Sequence, residues 1–222
     1  TPWSIRKTAV NTLERKKIIY GANKGIEPLR DAICTYINKK YGVQYNSDDE
    51  IIVTVGGSEA IDLAIRALVD VGDEVLVVEP SFVCYAPLVE LAGGVAVSVP
   101  TKIENNFKLT PEDLEGKITE KTKLLILPFP NNPTGAVMTK EDLEKIADVL
   151  RDTNVIVLSD EIYSELTYGR KHYSIIQIDG MRERTIYVNG FSKAYAMTGW
   201  RLGYLTAPKE IVSQLVKIHQ YG

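Results

Sequence analysis

Residues 189–201 read NGFSKAYAMTGWR, a stretch in which Lys193 stands among small and aromatic residues and Arg201 follows eight positions later. A lysine in such company either snorkels, with its stem buried and its ammonium in water, or supplies an amine for chemistry. Three other stretches hold groups that such an amine could work with. In VIVLSDEIYSEL, Asp160 closes an apolar run from Val155 to Leu158, and Tyr163 follows three residues later. A carboxylate so placed caps a helix or pairs with a buried cation. In LLILPFPNNPTGAVMT, Asn132 sits in turn chemistry just after an apolar run, as part of a plain loop or as an amide facing a ligand. In VTVGGSEAIDLAIRAL, Gly56 and Gly57 let backbone come close to a ligand, and the helix start at Ser58 and Glu59 offers free N–H groups to an anion. A tight turn into a helix is the other reading of that stretch, which has neither the Walker A nor the GxGxxG spacing.

Together these supply an amine, a carboxylate, an anion cradle with a guanidinium nearby, an amide and a phenol. That set suits pyridoxal 5'-phosphate: the aldehyde needs an amine, the ring nitrogen a carboxylate, the phosphate a helix start and an arginine, and the ring hydroxyl polar neighbours. Opposite charges about 4 Å apart, at an effective dielectric near 20, attract by about 4 kcal/mol, enough to keep a ring nitrogen protonated opposite Asp160. Lys193 is expected to lie buried beside the phosphate-binding groups.

Such a site needs a frame. From residue 51 onward short apolar runs alternate with helical patterns, which predicts an α/β fold: a mostly parallel sheet flanked by helices on both faces. IIVTV, EVLVVE, VAVSVP, KLLILPF, NVIVLSD, RTIYVNG and RLGYLTA are its seven expected strands. Ligands in such sheets bind outside the carboxyl ends of the strands, where Asp160, Asn132 and Lys193 fall. Thr110 with Pro111 and Asp113, and Thr139 with Asp142, are capping boxes. Leu143, Ile146, Ala147 and Leu150 then form one apolar helical stripe, and residues 26–40 form an earlier amphipathic helix through Leu29, Ala32, Ile33, Tyr36 and Ile37.

The chain has 222 residues, 45% hydrophobic and 25% charged, an ordinary globular composition. A net charge of −3 and a pI near 5.6, without a basic run, argue against nucleic acid as a partner. No apolar stretch approaches the ~18 residues of a membrane span, and TPWSIRKTAV lacks the apolar core of a signal peptide, so a cytoplasmic protein without a membrane partner is expected. Cys34 and Cys84 lack metal-ligand spacing and read as free thiols. His172 and His219 are isolated in sequence, so no metal site and no Ser-His-Asp triad is expected. The opening Thr-Pro-Trp, without methionine, reads as the interior of a longer chain.

GGSEA, PNNPTG, SDEIY and FSKAYAMTGWRLGY, in this order and at these separations, resemble the class I and II aminotransferases, the fold-type I pyridoxal-phosphate enzymes typified by aspartate aminotransferase. The resemblance covers nearly the whole chain. It implies that Lys193 binds the cofactor aldehyde and shuttles the substrate's Cα proton, that Asp160 pairs with the ring nitrogen, and that Asn132 and Tyr163 hydrogen-bond the ring oxygen. Gly57, Ser58 and Glu59 would meet the phosphate through the helix start, joined by Arg201 and Ser192. Phe82, in PSFVCY, would stack on the ring, and Tyr20, in YGANKG, would reach the phosphate of a neighbouring subunit in a homodimer. Residues 1–50 would be an N-terminal helical segment packing on the large domain and the dimer partner. Residues 51–222 would be the cofactor-binding large domain, with the small domain and its carboxylate-binding arginine largely absent. Gly190 departs from the family pattern, in which many relatives carry a phosphate-binding serine three residues before the lysine.

The activity implied is transfer of an amino group between an amino acid, with an aspartate-like donor modestly preferred, and a 2-oxo acid. A lyase or synthase on the same scaffold would use the same lysine, aspartate, asparagine, tyrosine and arginine. A cofactor-binding fragment or regulatory module without turnover is the alternative outside catalysis. Without the small domain, weak or absent turnover is expected of the 222-residue chain.

Overall fold

The computed structural model describes residues 1–15 and 20–221. All seven expected strands are present: β1 (Ile51–Thr54), β2 (Glu74–Glu79), β3 (Val95–Pro100), β4 (Thr122–Leu127), β5 (Ile156–Asp160), β6 (Thr185–Gly190) and β7 (Gly203–Thr206). They form one sheet in the order β1-β7-β6-β5-β4-β2-β3. The five strands β2 to β6 pair in parallel, and β7 runs antiparallel to both β6 and β1. The central strands are covered on both faces, which is why they read as unbroken apolar runs rather than alternating ones.

On one face α3 (Gly56–Leu68), α4 (Tyr85–Leu91) and α7 (Lys209–His219) share a core in which Ile61, Ala64 and Ile65 meet Leu158, Val188 and Leu215. The other face carries α5 (Pro111–Leu114) and α6 (Lys140–Leu150). The α6 stripe of Leu143, Ile146, Ala147 and Leu150 is fully buried, and its capping box closes as expected: the Asp142 N–H donates to Thr139 Oγ1 at 3.2 Å, and the Thr139 N–H to Asp142 Oδ2 at 2.8 Å. A cap of this kind contributes about 1 kcal/mol. Of the two N-terminal helices, α2 (Glu27–Tyr41) packs Ile33, Ile37 and Tyr41 against Ile51, Tyr187 and Tyr204. α1 (Trp3–Arg15) buries none of its residues. Among the described residues no helix is long and apolar enough to cross a membrane.

The antiparallel β7 sets the position of the GGSEA turn. A Cβ added at Gly203 would lie 2.4 Å from the Gly56 carbonyl carbon and 2.7 Å from the Gly57 nitrogen, so strand and helix start touch backbone to backbone. Substituting Gly203→Ala forces two backbones apart, whereas Gly199 has nothing within 4 Å of an added Cβ. Urea unfolding is expected to give a loss of about 2 kcal/mol for Gly203→Ala and less than about 0.5 kcal/mol for Gly199→Ala.

Candidate active site

Five connections leave the carboxyl ends of β2, β4, β5 and β6 or enter α3, and they enclose a cavity of about 260 Å³. Nine of the residues expected from the sequence face it: Gly57, Ser58, Phe82, Asn132, Asp160, Tyr163, Ser192, Lys193 and Arg201. They come from positions spread over most of the chain and meet only because their strands lie side by side.

Asp160 is the last residue of β5, 8% exposed, at the inner wall. Its Oδ2 accepts a hydrogen bond of 2.8 Å from the Tyr85 hydroxyl, and its Oδ1 one of 3.2 Å from the Ile162 N–H. Burial raises its pKa; the two hydrogen bonds pull the other way, and neighbouring Glu161 raises it further. No cationic side chain among the described residues offsets this cost. The helix-capping role that the sequence left open for Asp160 is not what the fold uses, because only a short 3-10 turn (Ser164–Leu166) follows β5.

The anion cradle is built by glycine and arginine together. Gly56 has φ +76°, and a Cβ there would come within 2.4 Å of an Arg201 guanidinium nitrogen. Arg201 itself sits at φ +52°, a left-handed conformation that costs a non-glycine residue about 1 kcal/mol or more and that closes the 3-10 turn Thr198–Trp200. The guanidinium donates to the Thr198 carbonyl at 3.2 Å and keeps its remaining donors beside the first N–H groups of α3.

In the PNNPTG loop the two asparagines divide the work. Buried Asn131 holds the loop, donating to the Pro80 carbonyl at 3.1 Å and accepting from Thr134 Oγ1 at 2.8 Å. Asn132 is thereby left facing the cavity. Phe82 lies at the rim, edge-on to Tyr85 with ring centroids 6.1 Å apart.

One expectation needs correcting. Lys193 is exposed rather than buried: its Nζ stands 5.3 Å from the centroid of the Tyr163 ring at the cavity mouth, because the loop after β6 carries it past the end of the sheet. The Glu59 side chain turns away from the cavity, accepting from the Val55 N–H and facing His219 Nδ1 at 3.0 Å, so only its backbone N–H remains at the helix start. Tyr20 is fully exposed and stands outside this cavity. Gly190 also finds its reason, since a Cβ there would lie 2.9 Å from the Leu202 carbonyl oxygen and 3.0 Å from the Gly203 Cα, leaving no space for a serine.

Sequence reasoning missed Tyr85 and Glu161. Tyr85, three residues beyond Phe82, is as buried as any core residue, yet it carries a hydroxyl that reaches Asp160 across 75 positions of sequence. Glu161 is 1% exposed and faces away from the cavity, where it meets His172 Nε2 at 2.6 Å and accepts from Ser159 at 3.0 Å and from Ser174. His172 is therefore not isolated in space, and the same holds for His219; no cluster of metal-binding side chains appears among the described residues. The SDE order is the available signal: adjacent carboxylates at a strand end must point to opposite sides of the sheet.

The donor set suits pyridoxal phosphate. A buried carboxylate without a cation favours a protonated ring nitrogen, and the cradle at Gly56 and Arg201 has the chemistry and the backbone openness that a phosphate requires.

Residues 3–221 match the family described as aminotransferase class I and II. An aspartate aminotransferase of Pyrococcus abyssi is 47% identical, with the match covering 100% of this chain and 57% of the relative. Aromatic-amino-acid aminotransferase 2 of Thermococcus litoralis is 46% identical over the same shares of 100% and 57%. The crystal structure of an aromatic aminotransferase from Pyrococcus horikoshii superimposes with a TM-score of 0.97 at 46% identity, covering 100% of this chain and 60% of that one. The sheet is that of the fold-type I aminotransferase large domain. The chain belongs to the class I and II aminotransferases, and it spans about 57% of the length of the curated relatives it matches.

Because burial raises the pKa of Asp160, the fold favours its neutral form. The resulting penalty is absent below the ordinary carboxylate range and grows as pH rises through it. Asp160→Asn is thus expected to raise the urea midpoint of the cofactor-free protein at pH 7, with the gain shrinking toward pH 4, while Glu161→Ala, which strips His172, Ser159 and Ser174 of their acceptor, is expected to cost about 3 kcal/mol.

Proposed function

We propose that the protein is a pyridoxal-phosphate-dependent aminotransferase that moves an amino group between an amino acid and a 2-oxo acid. The observation that carries this reading is the buried, cation-free Asp160 carboxylate in the same cavity as Lys193 and the Gly56–Arg201 cradle. When bound, pyridoxal phosphate supplies an electron-withdrawing ring that stabilises negative charge at the substrate's Cα.

The chain's own residues do the rest. Asp160 holds the proton on the ring nitrogen, and its burial strengthens that pairing because no water competes for the carboxylate. Asn132 and Tyr163 orient the ring through its oxygen, and Phe82 covers a ring face. The N–H groups at Gly57, Ser58 and Glu59, with Arg201 and Ser192, would anchor the phosphate and so fix where the cofactor lies between Asp160 and Lys193. The Lys193 amine would hold the aldehyde and, once free, carry a proton to and from the substrate's Cα; its place at the open mouth gives it access to substrate. Residues 51–222 would form the cofactor-binding domain and residues 1–50 a helical segment packing on that domain and on a second subunit in a homodimer, in which Tyr20, exposed in a single chain, would reach the partner's phosphate. An aspartate-like donor is the preferred substrate; the relatives, which include aspartate and aromatic aminotransferases, support an amino-acid donor in general.

In the full-length protein, an amino-donor panel with a 2-oxo acid acceptor is expected to yield the new amino acid, with aspartate among the better donors. Release of ammonia without a new amino acid would instead point to lyase chemistry. Lys193→Ala is expected to lower turnover at least about 1000-fold and to abolish borohydride trapping of the cofactor on the protein. Asp160→Ala is expected to lose about 100-fold in turnover with its fold intact by circular dichroism.

A further inference from the structure

Tyr85 is the largest fully buried side chain near the cavity whose polar atom is unused by the proposed chemistry. It begins α4, is 2% exposed, and belongs to the core between α3 and α4. A phenol buried this deeply loses water and needs a partner. Its partner is Asp160 Oδ2 at 2.8 Å, and burial together with that carboxylate raises the phenol's pKa, so it stays a donor at every working pH.

The groups around the Asp160 carboxylate are few. Tyr85 and Cys84 approach from α4, Glu161 is its neighbour on the chain, Tyr163 and Lys193 line the same cavity, and Arg201 lies across it in the anion cradle. Among the described residues only Tyr85 and the Ile162 N–H donate to it, one to each oxygen. Two donors on two oxygens stop the carboxylate from rotating about its Cβ–Cγ bond and leave its remaining lone pairs for a ligand. The same tyrosine also meets Phe82 edge to face, so one side chain braces both the carboxylate and the aromatic at the rim.

Resting on the cofactor reading above, the geometry points to Tyr85 as a positioning residue that fixes the Asp160 carboxylate as an oriented anion for the ring nitrogen of the cofactor. Without the hydroxyl, Oδ2 is a buried acceptor lacking a donor, and a carboxyl in that state gains from taking up a proton.

The test uses the full-length protein and Tyr85→Phe, which keeps the ring and its packing. Carboxyl-carbon NMR of the cofactor-free protein is expected to place the Asp160 titration midpoint about one pH unit higher in Tyr85→Phe than in the wild type. With pyridoxal phosphate, kcat is expected to fall about tenfold at nearly unchanged KM. With an analogue carrying carbon in place of the ring nitrogen, wild type and variant are expected to differ by less than about twofold, since the group that Asp160 serves is gone. Equal losses with both cofactors, or an unchanged Asp160 midpoint, would mean a merely structural tyrosine and overturn the proposal. Failure of the wild type to take up pyridoxal phosphate would overturn the reading of the site and this proposal with it.

Discussion

A carboxylate taken out of water with no cation opposite it among the described residues is the constraint around which this site is organised. Asp160 ends a strand at the centre of the sheet, and the protein meets the cost of its burial with only two hydrogen bonds. Two donors fall short of what water supplies to a carboxylate, so the cofactor-free fold holds an unmet demand for positive charge at one point in space. A protonated ring nitrogen answers that demand, and the ligand's binding energy is thereby coupled to its orientation.

The second requirement is closeness of backbone. β7 reverses direction beside β6, and the three glycines Gly56, Gly190 and Gly203 let it pack against both the end of β6 and the start of α3. A side chain at Gly56 would push Arg201 away from the helix start, one at Gly190 would push β7 away from β6, and one at Gly203 would push β7 away from the start of α3. The anion cradle is therefore a consequence of sheet topology: the arginine and the N–H groups it joins are about 145 positions apart in sequence and meet because β7 lies next to β1, from which α3 departs.

Behind the cavity, the other carboxylate of the SDE sequence anchors the same turn from the opposite side. Glu161 gathers His172, Ser159 and Ser174 into a buried polar cluster, with the Tyr41 hydroxyl of α2 at 3.4 Å. The turn after β5 is thus held from both faces of the sheet, which limits the freedom of Asp160 and of Tyr163 beyond it. Although His172 Nδ1 has no partner of its own, the cluster resists rearrangement because His172 Nε2, Ser159 and Ser174 would each lose the Glu161 carboxylate.

The seven strands, the α6 stripe with its capping box, and seven residues of the cavity were legible in the sequence because each rests on a local rule, whether unbroken apolar runs, a 3.6-residue period, cap spacing, a glycine-rich helix start or polar residues beyond strand ends, whereas Phe82 and Ser192 followed only from the family resemblance. What only the tertiary structure decided involves partners distant in sequence. The sequence placed Tyr85 beside an aromatic and gave no sign that its hydroxyl meets Asp160; it left His172 and His219 alone, although each finds a glutamate in the fold. Nor could it say that Lys193 stands open at the mouth, or that Glu59 turns to His219 rather than toward the cavity. Local pattern specifies which backbone state a segment takes and which side it buries. Which polar atoms satisfy one another is settled only when the strands are laid in order, because a hydrogen bond depends on distances of a few tenths of an ångström that no spacing along the chain encodes.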